Sequence, residues 1–97
     1  MILEACIENI TYLKEVVHAG ATRIELCDNL AVGGTTVSMA VRDYAKYFCD
    51  SNDVELAVMI RARGGDFVYN NTEKTVMYND LKEMAKEGVK RAVIGAL

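Results

Sequence analysis

Four short apolar runs alternate along this chain with three segments whose apolar residues recur at helical spacing. The predicted strands lie at 2–6, 23–28, 55–61 and 91–97. Asn9, Ser38 and Thr72 are the expected N-caps of the helices between them. Strands that alternate with helices pair in parallel through right-handed crossovers. The order βαβαβαβ therefore predicts the α/β class with a parallel sheet.

Two architectures fit this order, an open doubly wound sheet and part of a (β/α)8 TIM-type barrel. No Gly-x-Gly-x-x-Gly follows the first strand, so a dinucleotide-binding open sheet would lack its fingerprint. A Gly-x-x-Arg-apolar pattern recurs at 20–24 and 88–92, and this internal repeat favours the barrel. A whole barrel needs roughly 200 residues or more. Residues 1–97 are therefore expected to form a single N-terminal half-barrel.

A half-barrel leaves two strand edges without partners and its inner face open. We expect such a chain to pair with itself as a homo-oligomer or to pair with a second half-barrel. The remaining alternative is a truncated, inactive fragment of low stability.

Composition excludes several kinds of partner. The formal net charge is −3, with 11 Lys and Arg spread among 14 acids, which is not the balance of a nucleic-acid-binding domain. No apolar run approaches the roughly 18 residues of a membrane span, and the first residues lack the pattern of a secretory signal. Three cysteines are too few, and odd in number, for a disulfide scaffold. We therefore expect a cytoplasmic protein that binds neither nucleic acid nor membrane.

The pattern Glu-x-Cys occurs twice, with Glu4 and Cys6 in the first predicted strand and Glu25 and Cys27 in the second. Side chains two positions apart lie on the same face of a strand. Each strand thus carries an acid and a thiol on one side, opposite an apolar side suited to packing under helices. A buried charge without a partner is costly, so the polar side is expected to line the barrel interior.

Basic residues follow at the end of the third strand. Arg61 and Arg63 share the parity of the polar side, and Asp66 lies in the glycine-rich loop after them. Glu4 and Glu25 are then expected to face the two arginines. One hypothesis is a buried ion-pair network that only specifies packing. The other is a site for a small anionic metabolite at the barrel mouth, where active sites of this fold lie and where arginine can hold a carboxylate or phosphate.

The cysteines leave two interpretations open. Free cysteine is among the most buried residue types and usually packs without reacting. Alternatively, Cys6 and Cys27 on strands about 4.8 Å apart share a soft ion such as Cu(I), which thiolates select. Stagger between the strands leaves the separation of the two sulfurs undetermined. His18 is the sole histidine, so a tetrahedral zinc set of Cys and His has little support.

With these residues in view, the chain resembles the copper homeostasis protein CutC family. The matching segments are 4–6, 20–27, 33–39, 59–69 and 95–97. The block 59–69, Met-Ile-Arg-Ala-Arg-Gly-Gly-Asp-Phe-Val-Tyr, is specific by itself. The resemblance implies a cytoplasmic (β/α)8 barrel with a role in copper handling, and it implies Cys6 and Cys27 as Cu(I) ligands. It also matches Glu4, Glu25, Arg61 and Arg63 to polar positions of the family's barrel mouth.

Three features depart from the family pattern. Val37 and Ala62 stand where the family typically has proline, which leaves both mouth loops less constrained. Thr22 stands where an acid usually precedes the arginine. The third departure is length, because the pattern stops at the fourth strand. The resemblance therefore predicts a copper-binding protein, and a TIM-barrel enzyme that acts on a small anionic metabolite is the alternative.

Overall fold

A computed structural model of the chain describes residues 1–96, and Leu97 lies outside the described residues. The strands in this range are β1 (Glu4–Glu8), β2 (Arg23–Cys27), β3 (Glu55–Ile60) and β4 (Arg91–Ile94). The helices are α1 (Leu13–His18), α2 (Met39–Ser51) and α3 (Asn71–Glu87), with a short 3-10 turn at Leu30–Val32. Neighbouring strands pair in parallel in the order β1-β2-β3-β4, which confirms the predicted α/β class and partial barrel. None of the described helices is long and apolar enough to cross a membrane.

The first strand and the first helix begin later than the sequence pattern predicts. β1 starts at Glu4 and runs on to Glu8. Asn9 is not an N-cap, because its backbone N–H donates to the Cys27 carbonyl at 2.6 Å and its φ is 54°. The helix therefore starts only at Leu13. The predicted cap is wrong because the pairing of β1 with β2 continues to Glu8, and the Asn9 N–H still takes part in it, so the chain does not turn into a helix at Asn9.

The caps of the two long helices differ in how well the sequence predicts them. Ser38 caps α2 as expected, since its Oγ accepts a hydrogen bond from the Val41 N–H at 3.3 Å. The cap of α3 is Asn70 and not Thr72. The Asn70 Oδ1 accepts from the Glu73 N–H at 2.8 Å, while the Glu73 carboxylate accepts from the Asn70 N–H at 3.0 Å. This reciprocal capping box satisfies two backbone donors at the helix end, which explains why the helix begins there.

The fourth strand is shorter than predicted. β4 ends at Ile94, Gly95 and Ala96 follow without strand pairing, and the predicted end at Leu97 lies outside the described residues. Ile94 pairs in register with Ile60, which is fully buried under the helices, yet Ile94 is 51% exposed. The difference arises because no helix in residues 1–96 covers this edge of the sheet.

The two faces of the sheet differ as the alternation predicts. One face packs under the helices, and Ile24, Leu26, Val58 and Ile60 on this face are 0% exposed. They join an apolar cluster to which all three helices contribute. Full burial of one such side chain stabilises the fold by roughly 1.5–3 kcal/mol relative to exposure. The opposite face carries the polar residues, so we call it the inner face by analogy with a barrel.

A row of alternating charge crosses the inner face near the N-terminal ends of the strands. We call this row the charge ladder, and it consists of Glu4, Arg23, Glu55 and Arg91, one from each strand. Arg23 lies 3.4 Å from a Glu4 oxygen and 2.8 Å from Glu55 Oε2, and Arg91 Nε lies 3.2 Å from the same Glu55 oxygen. The hydrogen bond from Arg23 lowers the pKa of Glu55. Acid and base therefore alternate from one edge of the sheet to the other.

A buried ion pair joins α2 to α3. Arg42 donates to the Glu87 carboxylate through Nε at 3.0 Å and Nη2 at 2.8 Å, and both side chains are largely buried. The remaining donor, Nη1, reaches the Val37 carbonyl at 3.1 Å. The pair thus fixes the start of α2, and the loop before it, against the third helix.

Candidate metal centre

Three side chains with metal-binding atoms meet on the inner face where β1 lies beside β2. Strand pairing places Cys6 opposite Glu25, and Cys27 follows two residues further along β2. Cys27 Sγ lies 3.8 Å from Cys6 Sγ and 3.8 Å from a carboxylate oxygen of Glu25. One donor atom from each of the three residues lies within 4.8 Å of the others, and no other such group occurs in residues 1–96. The structure therefore brings the two predicted cysteines together and adds Glu25 to them.

The loop after β2 covers one side of this cluster. Gly34 has a φ of 99°, and a Cβ there would lie 3.4 Å from the Cys27 Cβ and 3.3 Å from the Met59 methyl. Two backbone hydrogen bonds between Asp28 and Thr35, of 2.8 and 2.7 Å, hold the loop in this position. Cys27 is therefore fully buried. Cys6 is exposed, so the cluster is open to solvent from the Cys6 side.

Burial makes the cluster hold its protons more tightly than usual. It raises the pKa of the Cys27 thiol to about 12, and the neighbouring Cys6 and Glu25 add to the shift. Burial also raises the pKa of Glu25, and the negative charge of Glu4 adds to that shift. Cys27 is consequently a neutral thiol at neutral pH. A cation must displace its proton in order to bind, because the thiolate is the ligand.

The donor set suits a soft ion. Thiolates select Cu(I) and related ions, whereas carboxylates prefer harder ones. Two sulfurs that bind the same ion, each at about 2.3 Å, can be at most about 4.6 Å apart. The two sulfurs of Cys6 and Cys27 are 3.8 Å apart, which is within this limit. His18 lies at the end of α1 and is not part of the cluster. The pair of thiols is thus the main ligand candidate.

The third cysteine is a packing residue. Cys49 lies on α2 and is fully buried in the apolar cluster, and burial raises its pKa to about 11. It does not belong to the group around Cys6. The packing interpretation of free cysteine therefore applies to Cys49, and this residue provides a control for experiments on the other two.

Arg61 lies at the mouth, where its side chain joins two loops. The guanidinium donates to the carbonyls of Val32 at 2.6 Å, Gly34 at 3.1 Å and Gly65 at 2.7 Å. It also lies 4.7 Å from the centre of the Phe67 ring, and Arg61 is only 5% exposed. Arg61 therefore links the loop after β2, which covers Cys27, to the loop after β3.

Arg63 and Asp66 lie in a second, more exposed cluster. Arg63 forms ion pairs with Asp66 at 3.3 Å and with Glu73, and it stacks over the Tyr69 ring at 5.1 Å. The pKa of Glu73 is lowered, first by the Asn70 N–H and then by Arg63. Asp66 is thus a loop residue, and its side chain contacts Arg63 and the Val68 N–H of the same loop.

The predicted ion-pair network between the two acids and the two arginines is wrong. Within the described residues Glu4 pairs with Arg23, and neither Glu4 nor Glu25 forms an ion pair with Arg61 or Arg63. The reason is that β3 ends one residue before Arg61, so both arginines follow the loop and not the strand alternation. The Nη1 and Nη2 atoms of Arg61 donate to loop carbonyls and Arg63 is held by loop carbonyls and nearby acids, whereas the buried Arg61 Nε has no hydrogen-bond partner.

A cavity of about 570 Å³ opens beside these loops, and its lining includes Ser38, Arg61, Arg63 and Asp80. Burial raises the pKa of Asp80. Asp80 places an acid in the wall, and apart from the unpartnered Arg61 Nε the guanidinium groups of Arg61 and Arg63 already bind loop carbonyls and acids, so the lining does not favour an anionic ligand. The anion-clamp hypothesis therefore gains no support from the cavity.

Met59 is a further neighbour of the cluster, and it was not among the predicted site residues. A Cβ on Gly34 would lie 3.3 Å from the Met59 methyl and 3.5 Å from Cys27 Sγ, so both side chains pack against the same loop. A thioether is also a soft ligand. The strand alternation contained the signal, because it places Met59 on the inner face.

Comparison with known proteins points to one family. The family model described as the CutC family matches residues 1–97. A protein of Enterococcus faecalis described as family protein CutC is 47% identical over 97 residues, which cover 100% of this chain and 46% of that protein. The human copper homeostasis protein cutC homolog is 40% identical over 96 residues, covering 99% of this chain and 34% of that protein.

A solved structure agrees with these matches. The structure of CutC from Streptococcus agalactiae superimposes with a TM-score of 0.93 at 45% identity, and the match covers 100% of this chain and 47% of that chain. The chain thus spans about half the length of the Enterococcus and Streptococcus proteins that it matches.

Proposed function

The chain belongs to the CutC family, and from this premise we propose that it binds Cu(I) through the thiolates of Cys6 and Cys27. The observation that carries the proposal is the 3.8 Å contact between the two sulfurs on the inner face. The name of the human relative, copper homeostasis protein cutC homolog, supports copper as the ion. Cu(I) would then be the cargo of a homeostasis protein.

Each residue of the cluster has a separate task in this proposal. Cys6 is exposed and offers the first sulfur to an arriving ion. Cys27 Sγ lies 3.8 Å from Glu25 Oε1, so Glu25 is placed to pass the thiol proton on to solvent when the thiolate forms. The loop at Gly34 keeps water from the buried sulfur. The ion itself would supply the positive charge that makes a buried thiolate stable.

Anaerobic titration with Cu(I) against a competing chelator tests the proposal. We expect one ion per chain and the ultraviolet absorption of a Cu(I)–thiolate bond. Cys49→Ala is the matched control, because Cys49 lies in the core and its removal leaves both proposed ligands in place. A loss of binding in a folded Cys49→Ala variant, or no binding in the natural chain, would contradict the proposal.

The affinity for Cu(I) is expected to rise with pH. Cys27 has a raised pKa of about 12, so the metal-free site keeps this proton throughout the neutral range and releases it on binding. Each released proton increases the apparent affinity by about tenfold per pH unit below that pKa. Chelator competition at about pH 6, 7 and 8 measures the slope, and Cys27→Ser should reduce it by one proton. An affinity that does not change with pH would show that Cys27 is not a ligand.

We further infer that the protein works in the cytoplasm. All three cysteines are free thiols in the structure, and a reducing compartment keeps them in that state. Residues 1–97 serve in this proposal as one half-barrel unit that contains both sulfur ligands.

A further inference from the structure

We propose that the thioether of Met59 is a third sulfur ligand of the site and makes the site select Cu(I) over Zn(II). This inference rests on the proposed function, because it concerns the same ion that Cys6 and Cys27 are proposed to bind. Thioethers bind Cu(I), whereas the usual protein ligands of Zn(II) are thiolates, imidazoles and carboxylates. A thioether beside two thiols therefore favours one of these two ions over the other.

The strand register places Met59 beside Cys27. Leu26 of β2 pairs with Val58 of β3, and Cys27 and Met59 are the next residues of these two strands. Side chains alternate along a strand, so both residues lie on the inner face when Leu26 and Val58 are buried under the helices. Neighbouring strands are about 4.8 Å apart. Cys27 on the middle strand thus lies between Cys6 on β1 and Met59 on β3.

The loop after β2 shows that the side chains of Met59 and Cys27 converge. A Cβ at Gly34 would lie 3.3 Å from the Met59 methyl and 3.5 Å from Cys27 Sγ, so both groups lie against the same point of the loop. The Gly34 carbonyl accepts a hydrogen bond from Arg61 Nη1 at 3.1 Å, which holds the loop in place. Methionine is unbranched and has three rotatable bonds, so its sulfur can turn towards an ion beside Cys27.

Met59 differs from the methionines that fill the core. Met77 and Met84 are buried members of the apolar cluster under the helices. Met59 is only partly buried and does not belong to that cluster. Its sulfur can therefore turn to an ion without a loss of packing under the helices.

X-ray absorption spectroscopy at the copper edge counts the ligands directly. The natural chain loaded with Cu(I) under anaerobic conditions should show three sulfur neighbours of the copper, and Met59→Leu should show two. Leucine nearly keeps the volume of methionine, so we expect this variant to fold. Two sulfur neighbours in the natural chain would overturn the proposal, and this measurement does not depend on any variant.

Metal affinities test the selectivity. Met59→Leu should lower the affinity for Cu(I) by about ten- to hundredfold, which is the range for loss of a residue that tunes a metal site. Its affinity for Zn(II), measured against a fluorescent zinc chelator, should be no lower than that of the natural chain, because both thiols and Glu25 remain. An equal loss of affinity for the two ions would show that Met59 only shapes the site, and would overturn the proposal.

Met39→Leu is the matched control, because it makes the same exchange at the exposed first residue of α2. It should keep three sulfur neighbours and the natural affinity for Cu(I), and circular dichroism checks that both variants are folded. No binding of Cu(I) by the natural chain would contradict the proposed function itself. Binding that is equally tight in the natural chain and in folded Met59→Leu would contradict only the role of Met59.

Discussion

Replacement of both Cys6 and Cys27 by serine should lower the affinity for Cu(I) by about ten-thousandfold. Four-ligand structural zinc sites bind with roughly 10–16 kcal/mol, or about 3 kcal/mol for each ligand. Loss of two thiolates is then worth about 6 kcal/mol, and every 1.4 kcal/mol corresponds to about tenfold. Serine keeps the size of the side chain but offers a hard oxygen that Cu(I) does not prefer. Chelator competition under anaerobic conditions measures the difference.

The single variants sharpen this prediction. Cys6→Ser should lose the exposed sulfur with little effect on folding, because its side chain packs against few neighbours at the open face. Cys27→Ser places a hydroxyl at a fully buried position, so its thermal unfolding must be checked beside its affinity. Equal Cu(I) affinity in the natural chain and in a folded double variant would end the proposal of copper binding at this site.

Arg61→Ala should lower the free energy of unfolding by about 3 kcal/mol, since hydrogen bonds from a charged donor contribute about 1.5–3 kcal/mol each and water can reach part of the loop after truncation. The change removes donors from three loop carbonyls, those of Val32, Gly34 and Gly65. For a domain of this size, a loss of 1 kcal/mol lowers Tm by about 4–8 °C. We therefore expect Tm to fall by more than about 12 °C.

Arg63→Ala is the matched control for that prediction. It lies two residues further along the same loop, but its side chain is 38% exposed, so its ion pairs are partly screened by water. We therefore expect a clearly smaller loss of stability than for Arg61→Ala. Both variants are compared at one protein concentration, because association would also change the apparent stability. Equal losses of unfolding free energy in the two variants would show that the burial of Arg61 does not explain its contribution to stability.

Strand alternation was the most dependable guide in this sequence. It separated the helix-facing Ile24 and Leu26 from Glu25 and Cys27, and the structure has these residues on opposite faces. The alternation predicts faces because the side-chain period of a strand is two and does not depend on distant contacts. It does not predict how far a strand extends. β1 begins and ends two residues later than expected because its pairing with β2 determines its bounds.

The partners of charged residues were harder to predict. Arg61 carries the parity of the inner face, yet its guanidinium binds loop carbonyls, because the chain leaves the strand after Ile60. No spacing in the sequence reveals a contact between an arginine and a carbonyl about 30 residues away. The charge ladder was equally hidden, since Arg23 meets Glu55 only after both strands have found their register.

The register of β1 and β2 has a consequence for oxidation. Cys6 lies opposite Glu25, so Cys27 is offset from it by two residues. With strands about 4.8 Å apart and a rise of about 3.3 Å per residue, the two Cα atoms are on the order of 8 Å apart. Cysteines whose Cα atoms are more than about 7 Å apart cannot form a disulfide unless the backbone moves. The sulfurs can thus meet around an ion while the sheet resists their oxidation to a cystine, which would keep the pair reduced and ready for metal.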